Sequence, residues 1–193
     1  MRWSQLEVHD GGFLRAEANM KDTAAIVGAM LLATCLASPV SGIERWDNSD
    51  NRSELAGALR NVTVLLEDGV SASEHHGMPI SAKYEIDGGR LQLSVYTTAY
   101  DQFWEVIVDH QTGNVRGVGP IRGDENLATA QSQKATLANA RFPLAAAIAE
   151  AVRGAPGYRA VSAAPTLNEG RPVLKVMLVS GNDWKSVSLG LEK

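Results

Sequence analysis

From Ile80 onward the apolar residues fall on every second position. Ile80, Ala82, Tyr84 and Ile86 alternate with Ser81, Lys83, Glu85 and Asp87, the period of a strand with one buried and one wet face. Asp87-Gly88-Gly89 follows, and this is hairpin chemistry, because glycine accepts the positive φ such turns need. A second strand places Leu91, Leu93 and Val95 inward and Gln92, Ser94 and Tyr96 outward. After a turn near Asp101, Trp104, Val106 and Val108 form the inward set of a third strand, and Thr112-Gly113-Asn114 turns the chain again. Upstream, Leu55, Leu59, Val62 and Leu66 recur at helical spacing. With Ser53 as N-cap and Gly69 as stop, they predict a helix over residues 54–68.

The same pattern returns 81 residues later. Laid over Ile80-Ser81-Ala82, Val161-Ser162-Ala163 brings Leu167 onto Ile86, Gly170-Arg171 onto Gly89-Arg90, Leu174 onto Leu93 and Trp184 onto Phe103. Val187 and Leu189 then match Val106 and Val108. A fixed offset without a gap is the mark of a repeat. Pro165 occupies the position of Tyr84. Because proline donates nothing to a ladder, it predicts an edge strand or a late start there. Leu144, Ile148 and Val152, ending at Gly154, predict the second helix, and Pro143 should separate it from an alanine-rich helix over residues 125–141 with Asp124 as cap. Residues 116–124 are rich in glycine and read as a linker.

The expected fold is therefore α+β: two tandem helix-strand-strand-strand modules, each a helix packed on a small antiparallel sheet. The boundaries are 43–118 for the first module, 119–139 for a linker helix and 140–193 for the second, degenerate module. About 60 residues give a marginal core, so the two are expected to pack together.

The helix over 54–68, the strands Ile80-Ser81-Ala82-Lys83-Tyr84-Glu85-Ile86 and Leu91-Gln92-Leu93-Ser94-Val95-Tyr96, and above all Trp104-Glu105-Val106-Ile107-Val108-Asp109-His110-Gln111-Thr112-Gly113-Asn114-Val115 resemble the PepSY domain family. That last run is similar to the family's "aromatic, E-V-x-V-D, x-x-T-G-x-V" signature. The second copy lacks the D-x-x-T-G turn. The resemblance implies an extracytoplasmic module that binds or restrains proteases, or binds other envelope ligands. It supplies no catalytic residue.

The N-terminus changes the picture of where the chain acts. Lys21 precedes an apolar run over residues 24–37. About 14 residues are too few to span a bilayer, which takes ~20, but they fit the core of a signal peptide. Val40-Ser41-Gly42 offers cleavage before Ile43. Residues 1–42 are read as a signal peptide running from Met20 to Gly42 behind a non-native extension. Thr34 is a poor neighbour for a lipidated Cys35, so a lipoprotein is not expected. The expected location is the periplasm or the exterior, with no membrane span after cleavage. Cys35 is the single cysteine, which excludes a disulfide framework. The chain carries a net charge of −4 with both signs interspersed, which gives a nucleic-acid backbone nothing to bind.

Candidate chemistry is sparse. His75-His76 and Asp109-His110 are the possible metal ligands, without supporting spacing. Glu105 and Asp109 lie about 13 Å apart along a strand, and Asp109 is better explained as a turn-stabilising side chain. No nucleophile elbow and no phosphate-binding glycine loop occur. No catalytic residue, cofactor or metal is assigned. The aromatic residues Tyr96, Tyr100, Phe103 and Trp104 around the second hairpin are the candidate partner-binding face. The expectation is an exported, non-catalytic binding module whose partner is an envelope protein, a protease or a sensor. The alternatives are a periplasmic small-ligand or metal-binding protein, and a structural protein that self-associates.

Overall fold

A computed structural model describes residues 49–192. The signal segment, Cys35 and the cleavage site before Ile43 lie outside the described residues. The chain folds as α1 (Ser49–Leu59), α2 (Leu66–Ser73), a 3-10 turn (Glu74–His76), β1 (Met78–Asp87), β2 (Arg90–Ala99), β3 (Gln102–Val108), β4 (Val115–Pro120), α3 (Asp124–Leu137), α4 (Leu144–Arg153), β5 (Arg159–Asn168), β6 (Arg171–Ser180) and β7 (Asp183–Gly190). The class is α+β. All strands join one antiparallel sheet in the order β4-β3-β2-β1-β5-β6-β7, in place of two small sheets.

The hairpins form where the turn residues put them. Asp87 pairs with Arg90 across Gly88 (φ 53°) and Gly89 (φ 76°), two positive-φ residues as a two-residue loop demands. The bounds of β1 and of β2, advanced by 81, are those of β5 and β6. Each first strand also carries an irregularity at the matching place, between Pro79 and Ser81 and between Ala160 and Ser162. β1 and β5 meet through Ala82↔Ala163 and Lys83↔Ser162 only. Pro165 thus lies inside the sheet rather than on an edge strand. It pairs with Leu174 of β6, while on its other side the ladder to β1 has already ended at Ala163, so its missing N–H costs no bond.

One face of the sheet carries the main core. Tyr84, Leu93, Val95, Val106, Ala163, Leu174, Val176 and Leu178 are wholly buried beneath Leu55 and Leu59 of α1, Leu66 and Val70 of α2, and Ala147 and Ile148 of α4. The single helix expected over 54–68 is two helices. Residues 60–65 break away because stronger partners hold their backbone. Val64 N–H donates to His110 O (3.2 Å), Thr63 Oγ1 to Gln111 O (2.5 Å), and Gln111 Nε2 to Asn61 O (2.5 Å). Gly69 does not end a helix. It lies buried within α2, where a Cβ would come to 2.4 Å from Leu93 Cδ2.

The other face has its own, smaller cluster. Ile80, Phe103 and Ala130 of α3 are buried there, with Tyr96, Ile121, Leu127 and Leu137 around them. Ser81 Oγ donates to Gln133 Oε1 of α3 (2.7 Å). The helix expected as a linker therefore covers part of the sheet. Gly123 (φ 87°), not Asp124, is its N-cap. The glycine-rich segment expected as loop is strand β4, paired with β3 from Val108↔Val115 to Trp104↔Pro120. Pro143 does separate the helices, sitting extended (ψ 156°) just before α4.

Candidate functional site

The aromatic residues around the second hairpin are held by β2 and β3, which pair from Leu93↔Val108 to Ala99↔Gln102. Alternation sends Tyr96 and Phe103 to the α3 side and Trp104 to the side of α1, α2 and α4. Phe103 is buried against Ala130 and Ile80, with Lys134 Nζ 6.0 Å from its ring centre. Tyr96 is half-buried, opposite Ser81 and Glu105. Trp104 is half-buried opposite Thr97 and Pro120. The four side chains do not form one continuous surface.

Tyr100 differs from the other three. It is 100% exposed and sits with Asp101 in the two-residue turn between β2 and β3. Both adopt positive φ, 51° and 62°. That region is unfavourable for a side chain with a Cβ, and a bulky aromatic there is an outlier. The turn is held from below. Asp101 Oδ1 is 2.5 Å from Lys134 Nζ of α3, and this contact holds the Asp101 carboxyl below its ordinary pKa. Met78, 49% exposed, lies at the same end of the sheet, opposite Thr98.

Away from this turn, toward the β1–β2 hairpin, the α3-facing side of the sheet carries a polar network around Glu85↔Gln92 and Lys83↔Ser94. Lys83 Nζ lies 2.6 Å from Glu85 Oε2. Ser94 Oγ donates to Glu85 Oε1 and accepts from Gln92 Nε2, each at 2.9 Å. Lys83 Nζ is 5.7 Å from the centre of the Tyr96 ring. Burial first, and then the neighbouring Glu105 and Glu85 carboxylates, push the Tyr96 phenol well above its usual pKa. Unlike charges and hydrogen bonds saturate one another here, so the network stiffens the strands.

The histidines remain apart. His75 and His76 are exposed on the 3-10 turn, and His110 Nδ1 is 3.2 Å from Gln111 Nε2. Among the described residues no three of His, Cys, Asp and Glu gather into a metal-binding group. Asp109 organises the β3–β4 turn as its sequence context suggests. Its Oδ1 accepts from the amides of Gln111 and Thr112, each at 2.9 Å, and these bonds, Thr112 first, hold its carboxyl below the ordinary value.

One site escaped the sequence reading. Arg159, at the start of β5, donates through Nη1 to Leu59 O (3.0 Å) and Val62 O (3.3 Å), and through Nη2 to Val64 O (3.1 Å). It caps the carbonyls left free where α1 ends. Tyr84 OH donates to the same Val64 oxygen (2.7 Å). Nothing in the local pattern around Arg159 marks it, since its partners lie 95 or more positions away.

No family model matches the sequence, and no curated protein matches it. The fold is similar to the crystal structure of a candidate lipoprotein from Clostridium difficile 630, with a TM-score of 0.38 and 12% identity, over 69% of this chain and 90% of that one. Among the described residues no helix is long and apolar enough to cross a membrane.

Proposed function

We propose that this protein is an exported, non-catalytic binding module of the cell envelope that holds a protein partner, a protease or another envelope protein, with Tyr100 as the anchor. The observation that carries this reading is the β2–β3 turn. A fully exposed aromatic stands in a strained backbone conformation that Lys134 helps to fix through Asp101. Strain of this kind persists where the surrounding structure over-determines it, and it clusters at functional positions. Exposed aromatics held rigidly are typical energetic anchors of interfaces.

In the finer reading, the chain is two tandem PepSY-like modules fused into one sheet. The common offset of strand bounds and irregularities supports it, as does the strand-turn motif ending in Asp109 to Val115. Export rests on the apolar run over residues 24–37.

Tyr100→Gly separates the binding role from a structural one. Glycine accepts positive φ, so the variant should gain about 0.5–1 kcal/mol of stability. It should also lose the partner retained by the unaltered chain in pull-downs from envelope extract. Equal retention by both proteins would remove Tyr100 as the anchor.

A further inference from the structure

The two ends of the sheet are finished differently. Every pair between β2 and β3, advanced by 81 positions, is a pair between β6 and β7: Ala99↔Gln102 becomes Ser180↔Asp183, and Leu93↔Val108 becomes Leu174↔Leu189. Yet β3 is flanked by β4, whereas β7 is the edge of the sheet. In an antiparallel ladder the hydrogen-bonded pairs recur at every second position. Ile121 N–H donates to Phe103 O, so Phe103, Glu105 and Ile107 are the residues of β3 that bond β4. Leu191 N–H donates to Pro172 O, so Leu189, Val187 and Lys185 bond β6, and the backbone groups of Trp184, Ser186, Ser188 and Gly190 point outward. Trp184, Ser186 and Ser188 are the positions of Phe103, Glu105 and Ile107 advanced by 81. The outer side of β7 thus presents the same row of donors and acceptors that holds β4 on β3. The opposite edge is blunted: Pro120 of β4 places its missing N–H on the outer side, and the β3–β4 ladder is irregular between Ile107 and Val108. Proteins protect sheet edges by these means. β7 has no proline, and its pairing with β6 is regular from Asp183 to Gly190. Its two charged residues are turned to Tyr158, whose hydroxyl donates to Asp183 Oδ2 and whose ring centre lies 5.8 Å from Lys185 Nζ.

We infer that β7 pairs antiparallel with β7 of a second copy of this chain, about a twofold axis at Val187, so that two sheets become one. The strand is complementary to itself in this register, as an isologous contact requires. Outward residues bond outward residues: Trp184 faces the partner's Gly190, and Ser186 faces the partner's Ser188. A Cβ at Gly190 would meet nothing within 4 Å, which leaves room for an indole ring there. Between these pairs Val187 meets the partner's Val187, and Lys185 meets the partner's Leu189, so no like charges are opposed. Ser186, Ser188 and Gly190 are exposed, and the edge is open to a neighbour. The contact is narrow, and such contacts give weak association that rises with concentration. It lies apart from the Tyr100 turn and does not rest on that residue's role.

The test is the mass of the full chain in solution, followed by light scattering through a concentration series. The mass should climb from one chain towards a doubling. Ser186→Pro removes an N–H that points outward and leaves the ladder to β6 whole. Ser186→Lys combined with Ser188→Lys sets like charges opposite each other across the contact. Both variants should stay at the mass of one chain where the unaltered protein is dimeric. Crosslinking reads the register. In a Cys35→Ser background, Val187→Cys places two thiols in a non-bonded pair with Cα atoms about 4.5 Å apart, within reach of a disulfide, and mild oxidation should link two chains. Lys185→Cys, about 13 Å along the strand from its own copy, should stay unlinked. A chain that is monomeric throughout the series overturns the proposal. So does a dimer that survives the two lysines, even if Ser186→Pro fails to fold, and so does a dimer that Val187→Cys cannot link.

Discussion

Two glycines in neighbouring helices show how much a single methyl group depends on its surroundings. Gly57 in α1 has nothing within 4 Å of an added Cβ, whereas Gly69 in α2 faces the buried Leu93. Gly57→Ala should therefore stabilise by about 0.5–1 kcal/mol, the usual helix gain. Gly69→Ala gains the same propensity but must displace a core leucine, at about 1–3 kcal/mol, and so should lower the denaturant midpoint. Tyr84→Phe should cost about 1 kcal/mol, for one lost hydrogen bond whose acceptor keeps Arg159. Asp109 gives a pH signature. Its folded pKa lies below the unfolded one, near ~3.9, so its contribution is complete above that value and is lost as pH falls through the folded pKa. Asp109→Asn should flatten the acid limb of melting temperature against pH, and an unchanged limb would mean the turn bonds do not favour the charged form.

Elements whose pattern is local were legible in the sequence; those settled by distant partners were not. The β1–β2 and β5–β6 hairpins follow from period-2 alternation and from glycines suited to positive φ. The helix predicted over 54–68 fails at Val62-Thr63-Val64. There a helical count and an alternating one coexist, Val62 and Val64 being buried and Thr63 exposed. Two β-branched valines around a threonine already disfavour helix, and bonds to Arg159, Tyr84 and the β3–β4 turn decide the matter. Strand β4 was hidden because Gly117 and Gly119 supply no side chain to alternate. Alternation separated Tyr96 and Phe103 from Trp104, but the sequence did not reveal that α3 would bury Phe103 while the β2–β3 turn displayed Tyr100.

At the scale of the molecule, the four strands β4-β3-β2-β1 and the three strands β5-β6-β7 share a single core across a narrow seam. Ala82 and Ala163 face each other there, 3% and 0% exposed, beneath α2 and α4. Larger side chains have no room in such a position. Ala163→Leu should cost about 1–3 kcal/mol through overpacking, read as a lower midpoint with an unchanged denaturant slope. A changed slope would instead mean that the halves had come apart.

That seam also has a consequence for the order of events during folding. Every other strand pair joins neighbours along the chain, whereas β1 and β5 meet through Ala82↔Ala163 and Lys83↔Ser162, two residue pairs that alone reward so distant a closure. Closing so long a loop costs chain entropy before any contact repays it, so the hairpins should form early and the seam should zip last, as the slow step of a high-separation contact. Substitutions at Ala82 or Ala163 would then speed unfolding while leaving the refolding rate almost untouched.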